Sequence, residues 1–168
     1  YGKDVLDKAR TGVVEKFLPT PARDVRLLIC TQAVDKGDPI LGFFHQWVAE
    51  FALLSREVHA ICLQRGERSL PSNVREYSLG KETAQGPRFW KRIRYVLKFW
   101  FFVWSLRNRY DTVLVHINAE YVILAGPLWR LLGKKIILWS AHGAVPFTLR
   151  IATFFAHRIL TSTKEGYR

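Results

Sequence analysis

A histidine–glycine pair, His142 and Gly143, follows one of the most apolar stretches of the sequence, residues 136–140. That stretch predicts a buried strand that ends at Ser140 and continues into a polar turn. In open α/β sheets, ligands bind beyond the carboxyl ends of the strands. A histidine at such an end can donate a hydrogen bond to a substrate oxygen, or act as an acid or base. We therefore expect a ligand site at Ser140 to Gly143.

A second polar cluster follows the apolar run at residues 112–116, and it consists of His116, Asn118 and Glu120. These three side chains suit hydrogen bonding to sugar hydroxyls. They should lie beside the 140–143 turn if their strands are neighbours in the sheet. A structural alternative stays open, in which Asn118 caps a helix and His116 is satisfied in the interior.

The loop at residues 32–41 brings Asp35 and Asp38 close to Gly42 at the start of a predicted helix. Backbone amides at a helix entrance can approach an anion, and the carboxylates suit a hydroxyl-rich ligand. A role of Gly42 in packing alone stays open as the alternative. The loop lacks the GxGxxG pattern of dinucleotide sites, which disfavours a nucleotide-binding regulator.

Short apolar runs alternate with helical patterns along the chain and must position these residues. The alternation predicts an α/β domain, a three-layer Rossmann-like fold with a mostly parallel sheet. We expect strands at residues 26–31, 57–63, 74–79, 112–116, 134–140 and 157–161, with 74–79 at an edge. We expect helices at 42–55, 88–108, 119–132 and 147–155, and Gly133 is expected to stop the third of them. An amphipathic helix at 1–18 and a linker at 19–25 precede them, because Pro19 and Pro21 end the helical pattern.

The predicted helix at 88–108 mixes basic and aromatic residues. Its first turns contain Arg88, Trp90, Lys91, Arg92 and Arg94. Such a composition suits a helix that lies on an anionic membrane surface. A core helix with a solvated polar end stays open as the alternative. Single-stranded nucleic acid is disfavoured as a partner, because these aromatics crowd onto a helix instead of a sheet face or groove.

The composition favours a single globular domain of 168 residues, with 49% hydrophobic and 24% charged residues. The net charge of +12 suggests an anionic partner or a basic solvated face.

Cys30 and Cys62 lie in apolar runs, which indicates inert buried thiols and a reducing compartment. No zinc-site spacing is visible, and no apolar run reaches the roughly 18 residues of a membrane span. The chain starts at Tyr1 and contains no methionine, so we expect part of a longer protein. The buried thiols and the basic–aromatic helix predict a cytoplasmic protein that associates with the membrane's cytoplasmic face.

Taken in order, six segments resemble the N-terminal half of a family 4 glycosyltransferase of the GT-B fold. The segments are RLLICTQ, GDPILGFFHQWVAEFA, EVHAICL, YDTVLVHIN, GPLWRLLGKKIILWSAHG and HRILTSTKEGYR. The opening YGKDVLDKARTGVVEKF resembles the closing helix of such enzymes, which packs back on the N-terminal domain. Its place before the first strand suggests a rearranged chain that keeps this helix and omits the C-terminal domain.

The resemblance implies a retaining, metal-independent transferase without a cofactor, built from two Rossmann-like domains. The C-terminal domain would hold most of the nucleotide-sugar donor, and residues 26–168 would bind a glycan or lipid-linked acceptor. By position, His142 matches the histidine near the donor sugar and the reacting hydroxyl. On the donor side we place Gly42, Ser140 and Gly143, and on the acceptor side Asp38, His116, Asn118 and Glu120. The alternative is a non-catalytic module that binds an anionic membrane or a partner through its basic–aromatic helix.

Overall fold

The computed structural model describes residues 24–38, 42–67, 69–140 and 146–161, and these contain one sheet and four α-helices. The strands are β1 (Arg26–Val34), β2 (Glu57–Arg65), β3 (Val74–Ser78), β4 (Thr112–His116), β5 (Lys135–Ser140) and β6 (Arg158–Thr161). The helices are α1 (Gly42–Leu54), α2 (Arg88–Ser105), α3 (Ala119–Leu131) and α4 (Phe147–Thr153), and a short 3₁₀ helix covers Lys81–Thr83.

All six strands are parallel, in the order β3-β2-β1-β4-β5-β6. A parallel sheet must be covered on both faces, since its strands are apolar on both sides. Helix α1 covers one face, while α2, α3 and α4 pack against the other. This arrangement confirms the predicted three-layer Rossmann-like fold, with β3 at an edge.

Strand β1 shows how one sequence run contributes to two cores. Leu27 and Ile29 point toward α1 and pack in one cluster with Phe44. Leu28 points to the opposite face and packs in a second cluster with Phe99 of α2. Because successive side chains of a strand alternate between faces, a continuous apolar run is needed to cover both.

Strands β1 and β2 are both longer than the sequence pattern predicts, and β2 continues to Arg65 instead of residue 63. β1 continues through Gln32 to Val34, because Ala33 and Val34 are buried and pair with β2. In contrast, α2 ends at Ser105 and not at residue 108. The chain turns there so that Tyr110 becomes buried, with its hydroxyl donating to the Val103 carbonyl at 3.0 Å.

Two smaller predictions are also confirmed. Gly133, expected to stop α3, follows the helix with a φ of 67°, a conformation that glycine adopts without strain. Cys30 and Cys62 are free and buried, and burial raises the pKa of both thiols, to about 12 for Cys62. Both thiols therefore stay protonated and unreactive.

Some predictions fall outside the described residues. These are the helix at 1–18, nearly all of the linker at 19–25, and the turn with His142 and Gly143. Within the described segments, none of the helices combines the length and apolar character required to cross a membrane.

Candidate functional site

The strand order reverses between β1 and β4. From β1 the chain builds outward through β2 to β3, and from β4 it builds the other way through β5 to β6. In doubly wound sheets the carboxyl ends of the two strands at this reversal flank a crevice where ligands bind. Here those ends are Thr31–Val34 of β1 and His116 of β4, so the crevice lies where the polar strand end 116–120 was predicted to form a site.

The turn that follows β4 is strained. Ile117 has a φ of 67°, which is rare for a β-branched residue, and the turn is closed by the Asn118 amide donating to the His116 carbonyl at 2.8 Å. The Ile117 amide also donates to the Trp139 carbonyl of β5 at 2.8 Å. Backbone strain of this kind costs roughly 1–3 kcal/mol and clusters at functional sites. The strained turn places Asn118 and the start of α3 at the crevice.

Polar side chains from β1 and α3 meet at this crevice. Gln32 Nε2 donates to Asn118 Oδ1 at 2.9 Å, which joins the ends of β1 and β4. Asn118 occupies the N-cap position of α3 but makes no side-chain capping bond. Glu120 is exposed in the first turn of α3. The side chain of Asn118 therefore does not cap α3, as the structural alternative had required, but binds Gln32 instead.

His116 is buried beneath α1, with only 1% of its surface exposed. Its ring stacks on Phe44, with centroids 3.7 Å apart and planes 11° apart. A hydrogen bond of 3.2 Å joins its Nδ1 to Thr31 Oγ1, while Nε2 has no hydrogen-bond partner among the described residues. Burial lowers the pKa of His116 to about 4, so the ring is neutral near pH 7.

Ser140, at the end of β5, lies close to the 116–120 strand end. β4 and β5 are neighbours, with His116 opposite Trp139, which confirms that the two polar strand ends adjoin. Ser140 is buried, and its hydroxyl has no partner among the described residues. A cavity of about 70 Å³ lies between Ser140, Asn118, Glu120 and the start of α4. His142 and Gly143 lie just beyond the described strand, so their assignment stays a prediction.

The loop after β1 is held by the Asp35 carboxylate and by hydrogen bonds to the loop that follows β2. Asp35 Oδ1 accepts hydrogen bonds from the amides of Gly37 at 2.9 Å and Glu67 at 3.0 Å. A Cβ on Gly66 would lie 2.0 Å from the Asp35 carboxylate, so this close approach requires glycine. The Gly42 amide donates to the Asp38 carbonyl at 2.9 Å, and a Cβ there would lie 3.0 Å from the Lys36 carbonyl. These contacts favour the packing role that was left open for Gly42.

A groove that sequence reasoning missed runs from the crevice between α2 and α3, with a volume of about 580 Å³. Its polar end contains Gln32, Asn118 and Glu120, and its walls are mostly apolar. Arg92, Tyr95, Val96 and Phe99 of α2 form one wall, and Tyr121, Ile123 and Leu124 of α3 form the other. The α2 residues recur at helical spacing, but only the packing of α2 beside α3 reveals that they face a cavity.

The opposite side of α2 is exposed and apolar. Trp90, Leu97, Phe101 and Trp104 recur along one face and are 53–65% exposed; we call them the α2 stripe. Within α2 only Phe99 and Val103 are buried, and Trp100, Phe101 and Trp104 of its second half are exposed, which disfavours the alternative of a core helix with a solvated polar end. Arg88, Lys91 and Arg92, with Lys81, line a second cavity of about 380 Å³ beside the groove.

Aromatic rings from α1 and β5 pack together on the other side of the crevice, which sequence reasoning also missed. Trp47 packs edge-on against Trp139, with ring centroids 5.1 Å apart, and also against Phe43 at 5.7 Å. Phe43 is half exposed. Among the described residues, no group of three or more His, Cys, Asp or Glu side chains is placed to hold a metal ion.

No protein-family model matches the sequence, and no curated protein matches it either. Solved structures do show the same fold. One is a UDP-N-acetylglucosamine 2-epimerase, with a TM-score of 0.51, 10% identity, and coverage of 86% of this chain and 43% of that one. Another is the lipopolysaccharide outer core galactosyltransferase WaaB in its apo form, with a TM-score of 0.50, 13% identity, and coverage of 83% and 40%. The chain thus spans less than half the length of these neighbours, and its fold is that of one half of a GT-B protein.

Proposed function

We propose that the chain is the acceptor-binding N-terminal domain of a family 4 retaining glycosyltransferase. The enzyme would move a sugar from a nucleotide-diphosphate sugar to a glycan or lipid-linked acceptor. The observation that carries this proposal is the polar strand end Gln32–Asn118–Glu120, which lies at the topological switch point of a GT-B half-fold. Hydrogen-bonding side chains at this place suit the hydroxyls of a sugar acceptor.

The proposed roles follow the two sides of the crevice. On the acceptor side, Asn118 and Glu120 would contact hydroxyl groups, with Asp38 in the neighbouring loop. His116 belongs to the same side, but since it is buried and neutral we assign it a positioning role beneath the strand ends. On the donor side we place Gly42, Ser140, Gly143 and the catalytic residue His142. His142 would contact the donor sugar or the reacting centre.

The donor would be shared with a second Rossmann-like domain, which holds most of the nucleotide-diphosphate sugar. The reaction as proposed uses neither a metal nor a cofactor. Closing two domains over the crevice would exclude water from the transferred sugar. This chain alone would therefore bind an acceptor but not catalyse transfer.

The proposal is tested by turnover in the full-length protein. A panel of nucleotide-diphosphate sugars is incubated with the protein, and release of the nucleotide diphosphate is measured. We expect one donor to be consumed, and His142→Ala to lower its turnover by at least about a hundredfold, typical of a lost acid–base or positioning group. Thermal melting of the variant checks that the fold is intact. Near-normal turnover by a folded His142→Ala variant would remove the role assigned to His142, and no consumption of any donor would contradict the transferase.

A second candidate function is membrane association on the cytoplasmic face, and the α2 stripe supports it. Four large apolar side chains share one exposed face, and Arg94 lies on the same face, four residues after Trp90. Trp and Leu side chains next to basic residues suit the boundary between headgroups and acyl chains of an anionic membrane. The non-catalytic alternative uses the same surface, with the domain acting only as a membrane- or partner-binding module.

Sedimentation with lipid vesicles tests this second function. The chain should pellet with phosphatidylglycerol-containing vesicles in low salt, and less so with pure phosphatidylcholine vesicles or in high salt. Replacing Arg88, Lys91, Arg92 and Arg94 with Gln should abolish pelleting. The matched control replaces Arg56, Arg75, Arg109 and Lys135, exposed residues outside α2, and removes the same charge. Equal losses in the two variants would indicate diffuse charge attraction and contradict docking through α2.

A further inference from the structure

We propose that the groove between α2 and α3 binds the apolar chain of an anionic amphiphile, with Arg92 at its anionic group. The identification of this amphiphile as the acceptor rests on the proposed function. The acceptor would then be lipid-linked and not a free glycan. Three chemically different zones of the groove carry the argument, and each follows from a different set of side chains.

The first zone is apolar. Val96 and Phe99 of α2 face Ile123 and Leu124 of α3, above Leu63 and Leu79 at the floor. The volume of about 580 Å³ falls within the range of sites that bind small organic ligands. Sugar hydroxyls placed here would lose hydrogen bonds to water without finding replacements, which is costly. The occupant of this zone therefore carries a hydrocarbon chain.

The second zone is cationic. Arg92 lines both the groove and the adjoining cavity of about 380 Å³, where Lys81, Arg88 and Lys91 also lie. Three of these cations lie in the first turns of α2, which has no acidic residue in its first turn. Cations at a helix N-terminus oppose the helix dipole and repel one another, so this end of α2 is destabilised unless an anion binds. A phosphate group on the bound amphiphile would neutralise part of this positive charge.

The third zone is the polar strand end. Gln32 and Asn118 are hydrogen-bonded to each other, and Glu120 lies beside them at the end of the groove that opens onto the switch point. A carboxylate at this end disfavours a second anionic group and favours hydroxyls. The three zones together match one molecule, in which a sugar lies at the strand ends, a phosphate near Arg92 and a hydrocarbon chain between the helices.

Calorimetric titration of the chain with decyl phosphate, kept below its critical micelle concentration, tests the assignment. Inorganic phosphate supplies the head alone, and 1-decanol supplies the tail without a phosphate or a sugar. We expect decyl phosphate to bind at least about tenfold more tightly than either, because only decyl phosphate fills the apolar and the cationic zone together. Equal binding of inorganic phosphate and decyl phosphate would overturn the apolar zone, and equal binding of 1-decanol and decyl phosphate would overturn the cationic one.

Two pairs of variants locate the binding. Arg92→Gln should weaken the binding of decyl phosphate by about tenfold, as expected for loss of a charged hydrogen bond. Arg56→Gln should change the affinity less than about twofold, since Arg56 is exposed outside α2 and does not line the groove. Ile123→Trp should block the groove, whereas Leu131→Trp, on an exposed part of the same helix, should not. Equal effects within either pair would overturn the groove as the binding site.

Failure of this inference can be told apart from failure of the proposed function. If decyl phosphate does not bind but the full-length protein transfers sugar to a soluble glycan, the lipid-linked assignment is wrong and the transferase stands. If decyl phosphate binds in the groove but no nucleotide-diphosphate sugar is consumed, the groove is a lipid site and the transferase is wrong.

Discussion

Helices α1 and α2 are both rich in aromatic residues, but the two helices differ in how far their apolar side chains are exposed to solvent. On α1, Phe44, Val48 and Phe51 are buried against the sheet, and Phe44 closes over His116. On α2, the large apolar side chains of the α2 stripe are exposed, and the face beside α3 borders an open groove. One side of the sheet is thus closed by its helix, while the other retains a cavity that reaches the strand ends.

The difference teaches that aromatic content alone does not distinguish a core helix from a helix whose aromatic side chains stay exposed. Helix α1 is the main cover of its face of the described sheet, so its apolar side chains have to fill that layer. Helix α2 shares the opposite face with α3 and α4, and its core contacts come mainly from Phe99 and Val103. The exposed side chains of the α2 stripe are free to meet a ligand or a membrane.

The largest expected effect comes from a matched pair of phenylalanine truncations. Phe44→Ala should lower the free energy of unfolding by about 3–5 kcal/mol, because it opens a cavity over His116 and β1. Phe101→Ala, which removes a ring that is 65% exposed, should change it by about 0.5 kcal/mol or less. Urea denaturation measures both. Similar losses for the two variants would break the distinction between a structural and an exposed helix.

A smaller effect should appear in the pH dependence of stability. Between pH 6.5 and about 4, the unfolded chain binds a proton at His116 but the folded chain does not. The free energy of unfolding therefore falls as the pH falls through this window, by about 3 kcal/mol at most from this residue.

His116→Gln is the variant that isolates this contribution, since burial also lowers the pKa of His59 and His157. Its stability should fall less steeply than that of the unchanged chain over the same window. Denaturation curves collected at several pH values give the comparison. Parallel curves for the two proteins would show that His116 is not held neutral beneath α1.

Much of the fold could be predicted from the sequence because the strands are short apolar runs with polar ends. The starts of β1, β2 and β4 and the stop at Gly133 all depend on local signals. The extension of β1 to Val34 could not be predicted this way, since its last residues are set by pairing with β2.

The candidate site was only partly predictable, for the same reason. The polar strand ends at Asn118 and Ser140 are visible in the sequence, and their proximity follows once β4 and β5 are neighbours. The burial of His116 depends on Phe44, seventy-two positions away, and the groove depends on how α2 packs beside α3. No local pattern encodes either contact.

Mapping of backbone amide shifts by NMR during a titration with decyl phosphate tests most directly which side of the sheet is the ligand side. We predict that shifts concentrate at Gln32, Asn118 and Glu120 and along the α2 and α3 residues that line the groove, while α1 stays unchanged. Shifts centred on the aromatic rings of α1, or confined to the α2 stripe, would contradict a ligand site that opens from the strand ends into the groove.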